Sequence, residues 1–100
     1  MSNETTAKFT VQIDDEFVRV TRWDFPPGTQ TGTHTHEFDY VVVPVTNGTL
    51  TVRTAEGESE NNLVTGESYQ RSANTTHNVI NESNRECSFV EVEMKRPPGF

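Results

Sequence analysis

With a single cysteine, Cys87, the chain has no partner for an intrachain disulfide. Whatever holds the fold together is non-covalent, and a reducing compartment is the simplest home for it. Basic residues are scarce as well: eight Lys and Arg against fifteen Asp and Glu give a formal net charge of -7. They gather into no stripe or cluster, which excludes the electrostatic footprint that nucleic acid or an anionic membrane surface requires. Hydrophobic residues make up 31% of the 100 residues. Adding the six glycines still leaves the chain below the apolar share of about 45–50% usual for globular proteins. The core is therefore expected to be thin, partly polar, or completed by a second subunit. Long apolar runs are missing: Tyr40 to Val45 is the longest, far short of the roughly 20 residues of a membrane-spanning helix. The opening MSNETTAKF has neither the basic nor the apolar region of a signal peptide, so a cytoplasmic location is expected.

Helical periodicity is almost absent too. Instead Val, Thr, Phe and Tyr crowd into short runs separated by Gly, Asn, Pro and Glu, the signature of an all-β chain. The runs predict strands over Phe9–Ile13, Phe17–Phe25, Thr33–Glu37, Tyr40–Thr46, Thr49–Ala55, Ser59–Leu63, Ser68–Arg71, His77–Asn81 and Glu86–Lys95. Turn signals divide them at Pro26-Pro27-Gly28, Asn47-Gly48, Glu56-Gly57-Glu58, Thr65-Gly66 and Asn81 to Asn84. Nine short strands at this spacing suit a sandwich or barrel, and closure removes exposed strand edges. Nothing divides residues 1–100 into more than one domain, and the tail RPPGF at 96–100 is expected to leave the sheet.

Alternation within two strands carries further expectations. In Tyr40–Thr46, Val41, Val43 and Val45 face one way and Tyr40 and Val42 the other. A strand apolar on both faces is covered on both sides, and a second copy of the chain would serve as one cover. In Glu86–Lys95, Ser88, Val90, Val92 and Met94 share one face, and Cys87, Phe89, Glu91 and Glu93 the other. That reads as half-buried alternation with the glutamates outside and Phe89 as an apolar outsider.

The histidines number three: His34, His36 and His77. Residues two apart on a strand point to one face, roughly 6.6 Å apart along it. Two imidazoles so placed can converge on one ion, with bonds of about 2.0–2.1 Å. His77 opens a later strand and offers a third nitrogen. His-x-His by itself does not separate metal ligands from ordinary hydrogen-bonded histidines.

The surrounding spacing is more specific. Gly28, His34-Thr35-His36 and Gly48 resemble the first motif of the cupin superfamily, spanning 28–48. Gly66, His77 and Asn81 resemble its second, spanning 66–81, with Ser72 where that motif has proline and Asn74 where it has its second glycine. Asn visits the left-handed region and is a mild replacement there. The resemblance implies an antiparallel jelly-roll barrel with little or no helix, frequently a homodimer. It also implies one divalent metal held by His34, His36 and His77. The stretch DYVVVP looks like that of small stand-alone cupins associated with amino-acid or β-alanine catabolism.

The family's first motif also carries a glutamate, and here the chain departs from it. After three intervening residues His36 is followed by Tyr40, and one further by Val41. Tyr40 shares the parity of His34 and His36 and is expected inside the barrel; Glu37 and Asp39 have the opposite parity and would need a bulge to reach it. Imidazole-only ligation favours Fe, Ni, Zn, Co or Cu over Mg or Mn, and leaves positions open for water, an anionic substrate or dioxygen. Tyr40 has two readings, a hydrogen-bond donor to a substrate or an aromatic filling the absent ligand's space. Arg71, on one face with Tyr69, meets a substrate carboxylate at the barrel mouth or is simply solvated. Trp23 and Phe25 read as core, and Cys87 as a small buried hydrophobe. The expected function is metal-dependent chemistry on a small carboxylated molecule, dioxygenation first and isomerisation behind it. The rival is a non-catalytic ligand-binding or accessory cupin.

Overall fold

The structure, a computed structural model, describes residues 5–95; the RPPGF tail lies outside the described residues. The chain forms nine strands: β1 (Lys8–Asp14), β2 (Val18–Phe25), β3 (His34–Thr35), β4 (Tyr40–Pro44), β5 (Gly48–Thr54), β6 (Gly57–Leu63), β7 (Tyr69–Arg71), β8 (Thr76–Ile80) and β9 (Cys87–Met94). No helix occurs among the described residues. A five-stranded sheet runs β1-β2-β9-β4-β7 and a four-stranded sheet β3-β8-β5-β6. The strand pairs are antiparallel. Two such layers enclosing one interior make an all-β jelly roll, although strand pairing does not run continuously around it.

Two motif positions have a physical reason on view. A Cβ built on Gly48 would stand 2.7 Å from the Sγ of buried Cys87, so the glycine that closes the first motif admits a sulfur side chain against bare backbone. Asn74 adopts φ 67°, the left-handed turn that its place in the second motif demands. Asn81, at the end of that motif, is fully buried and ties loops together. Its amide donates to the carbonyls of Phe25 (2.8 Å) and Arg85 (2.7 Å), and its Oδ1 accepts from the Ser83 N–H and hydroxyl. It belongs to the scaffold of the site.

The interior is as mixed as the composition demands. Phe25, Tyr40, Val42, Leu50, Leu63, Cys87 and Phe89 form the buried apolar cluster, and nearly as many polar residues are buried beside them. The register of the larger sheet sets its inner face in rows. Arg19, Glu93, Tyr40 and Arg71 are lateral neighbours on β2, β9, β4 and β7, and Thr21, Glu91, Val42 and Tyr69 make the next row. Trp23, Phe89 and Pro44 follow.

Two expectations from the sequence are corrected here. The ladder around the histidines is confined to His34–Thr35; His36 leaves the strand and its backbone binds the 74–75 turn instead, accepting from the Asn74 N–H and donating to the Thr75 carbonyl. The face assignment of β9 is reversed: Cys87, Phe89, Glu91 and Glu93 are the buried side, and Val90, Val92 and Met94 look outward, half-buried. The reason lies across the ladder, where Trp23 and Tyr40 flank that face and Phe89 packs on Phe25 at 5.4 Å. A large aromatic and the cysteine anchor that side of the strand, and the glutamates follow by parity.

Candidate metal centre

His34 and His77 are cross-strand partners on β3 and β8, and His36 reaches the same place from the turn that follows. The Nε2 atoms of His34 and His36 lie 3.1 Å apart, and those of His36 and His77 3.2 Å. Donors at about 2.0–2.1 Å from one ion stand about 2.8–3.4 Å apart between octahedral and tetrahedral angles, so the spacing fits a shared cation. These three imidazoles form the group of convergent ligand atoms found among the described residues.

The local chain fixes which nitrogen is free. His34 Nδ1–H donates to the Gly32 carbonyl at 2.8 Å, leaving its Nε2 lone pair for the centre. The Gly32 turn is held in turn by Asn78, whose Oδ1 accepts from the Gly32 N–H at 2.9 Å and from the Thr31 hydroxyl at 3.4 Å. Burial, reinforced by the neighbouring imidazoles, pushes His36 down to about 4. Burial, then His34 and Arg71, does the same for His77. Both rings are neutral at ordinary pH, the protonation state that a ligand needs.

Tyr40 faces inward as its parity predicts, almost fully buried. Its ring stacks on His36 at a centroid distance of 3.9 Å and 21° between planes. Burial, then the charge of Glu91, drives its phenol well above the ordinary tyrosine range, which argues against a phenolate in the missing-glutamate slot. Arg71 lies exposed over the Tyr69 ring, 4.3 Å from its centroid, and Tyr69 receives a hydrogen bond from Asn61. Arg71, Tyr40, Tyr69 and His77 line one cavity of about 130 Å³. Glu37 is exposed, and Asp39 is occupied in accepting from the Ala73 N–H at 2.7 Å. Trp23 packs against the core as expected.

The sequence reading missed the carboxylates. Glu91 and Glu93, both buried, bracket His36: Glu91 Oε2 is 4.0 Å from its Nε2, and Glu93 Oε2 is 4.0 Å from its Nδ1. Glu93 also accepts from Arg19 at 3.5 Å. Glu91 accepts from the Trp23 indole N–H at 3.3 Å. Burial, then the charge of Glu93, raises Glu91 to about 7, against the lowering effect of that hydrogen bond. A second cavity of about 400 Å³ opens on the opposite side, between Phe9, Trp23, His34, His36 and the two glutamates. Glu91 borders both cavities. Parity groups the two glutamates with Cys87 and Phe89, and the lateral neighbours Trp23 and Tyr40 turn that side of β9 inward.

A jelly roll with three convergent imidazoles inside it is the architecture of a cupin, with a cluster that could hold a metal ion. The chain belongs to the cupin family, whose Cupin domain matches residues 21–93. It is 52% identical over 95 residues to the β-alanine degradation protein BauB of Pseudomonas aeruginosa, covering 95% of this chain and all of that one. A solved cupin domain from Bordetella pertussis Tohama I is 50% identical, with a TM-score of 0.90 over 96% of this chain and all of that chain. The polyketide cyclase RemF of Streptomyces resistomycificus, 18% identical with a TM-score of 0.70 over 97% of this chain and 72% of that one, shares the fold alone. Among the described residues no helix is long and apolar enough to cross a membrane.

Proposed function

We propose that this cupin binds one divalent transition metal through His34, His36 and His77 and acts on a small carboxylated molecule, dioxygenation being the first reaction to test. The observation that carries the reading is the convergence of three imidazole nitrogens between two cavities that small molecules can enter. An ion held by three protein donors keeps open positions and supplies Lewis-acid chemistry or, for iron, chemistry with dioxygen. Around it the chain's own residues orient the substrate. Arg71 stands at the mouth of the smaller cavity, where a guanidinium takes a carboxylate by paired hydrogen bonds, and Tyr40 lines its wall. The similarity to a β-alanine degradation protein puts β-alanine and other three-carbon acids at the head of the substrate panel. The buried free thiol of Cys87 suits the cytoplasm.

The test is oxygen uptake by Fe²⁺-loaded protein over that panel, with product analysis. Turnover of a three-carbon acid, lost in Arg71→Ala chiefly through a raised KM, is the expected result. The second reading, a cupin that binds without turning over, draws on the Tyr40 phenol, which burial removes from proton transfer near neutral pH. Calorimetric binding of the same acids with no chemical change under any metal would establish it.

We also propose a homodimer. Ile13, Val20, Val92 and Val41 are register neighbours across β1, β2, β9 and β4, on the outer face of the larger sheet. Val43 and Val90 adjoin them. An apolar row across four strands is a liability in water unless covered, and a two-fold pairing covers it with its own copy. Light scattering is expected to give twice the 11.3 kDa chain mass, and Val92→Lys is expected to shift it towards the monomer. A wild-type monomer at micromolar concentration would refute the dimer.

A further inference from the structure

We propose that Glu91, on β9, delivers to the metal centre the carboxylate that the first motif lacks. The inference rests on the metal-binding reading above and extends it to a fourth ligand taken from the last strand. In the register, Glu91 lies beside Val42, two residues along from Tyr40 on the same face of β4. The carboxylate therefore approaches from the strand neighbouring the slot where the glutamate is missing. Its Oε2 faces His36 Nε2 across 4.0 Å, near enough for a turn of the side chain to bring it onto an ion held by the three rings. His36 Nε2 is the nitrogen that also meets His34 and His77. Glu93 is the poorer candidate on two counts. It faces Nδ1, on the other side of the His36 ring, and it is already paired with Arg19.

Burial sharpens the point. Glu91 is 8% exposed, and its other oxygen accepts from the indole N–H of Trp23. A buried carboxylate is costly without a cation or several donors, and a dication held by the three imidazoles is the complementary charge. The three histidine nitrogens meet at the centre without it, so ligation requires a turn of the Glu91 side chain that gives up the Trp23 bond. Trp23 is the single tryptophan of the chain, and its emission reports that release.

The experiment uses full-length protein, Zn²⁺ and Mn²⁺, with affinities from equilibrium dialysis and tryptophan emission followed during the Zn²⁺ titration. Zn²⁺ has a filled d shell and no redox chemistry. Glu91→Gln keeps the shape and an acceptor for Trp23; Glu91→Asp keeps the charge but shortens the reach. If Glu91 ligates, both variants lose about 100-fold in Mn²⁺ affinity and about tenfold in Zn²⁺ affinity, because the harder ion depends more on an oxygen donor. Wild-type emission then shifts with an end point at one Zn²⁺ per chain, and that of Glu91→Gln stays still at saturation. Unchanged affinities, an equal loss for both ions, a Glu91→Asp variant that binds like wild type, or a wild-type emission that ignores Zn²⁺ would each overturn the inference while the histidine site stands. Wild-type protein that takes up neither ion fails the histidine reading itself.

Discussion

Replacing His34 and His36 together by alanine is expected to abolish stoichiometric metal binding, with metal content falling from one ion per chain to background. The two rings supply two of the three convergent nitrogens, and His36 is the one in contact with both others. His77 alone holds no divalent ion at micromolar concentration, since the spacing that makes the site disappears with its partners. The effect on stability follows by mass action: an ion that binds the folded state alone stabilises it by about 4 kcal/mol at a thousandfold excess over Kd. Wild-type protein is expected to gain that margin on adding Zn²⁺ or Fe²⁺, seen as a rise in Tm, and the double variant to gain nothing. Comparing each protein with and without metal separates this loss from the cost of emptying the buried His36 position. Metal content near one per chain in the double variant would sink the assignment of ligands.

The extent of the sequence's reach follows from what local pattern encodes. Strand positions were legible because β-branched runs and turn residues act within a few residues of one another, and the nine predicted segments coincide with β1 to β9 apart from their ends. The gathering of His34, His36 and His77 was legible because the glycine and asparagine spacings fix the turns around them. Asn74 stands at the left-handed position that spacing assigned it. What escaped was the side of β9 that faces in. Alternation alone is symmetric, and two valines with a methionine looked more like a core than two glutamates with a cysteine and a phenylalanine. Only the lateral neighbours break the tie: Tyr40 beside Glu93, and Trp23 beside Phe89. Those pairings join residues more than fifty positions apart, and no local window contains them. A polar interior also inverts the usual rule, because this jelly roll places imidazoles and carboxylates where a simple sandwich would place valine. The valines are then displaced to the outer face, where a second copy of the chain is the proposed cover.

Tyr40→Ala is expected to cost about 3–5 kcal/mol of folding stability, in the range of large aromatic truncations in a core, read from chemical denaturation of the metal-free protein. Tyr40 is 1% exposed, packs in the apolar cluster with Phe25, Val42, Leu50 and Phe89, and presents its ring flat to His36 at 3.9 Å. Removing it opens a void beside His36 and leaves the imidazole without the surface that holds its plane. The variant is therefore expected to bind metal about 10–100-fold more weakly as well, the usual cost of losing a group that orients a ligand. Tyr40→Phe separates ring from hydroxyl. It keeps the stacked face and the volume, so metal affinity is expected to stay within about threefold of wild type, and stability within the roughly 0.5–1.5 kcal/mol of one hydrogen bond. The phenol's upward shift, caused first by burial and then by the Glu91 charge, keeps it protonated in the metal-free protein. Were the oxygen a ligand after all, Tyr40→Phe would release the metal, and wild-type protein loaded with Fe³⁺ would show a tyrosinate charge-transfer band that the variant lacks. Retention of metal by Tyr40→Phe together with its weakening in Tyr40→Ala establishes the ring as the platform on which His36 is set.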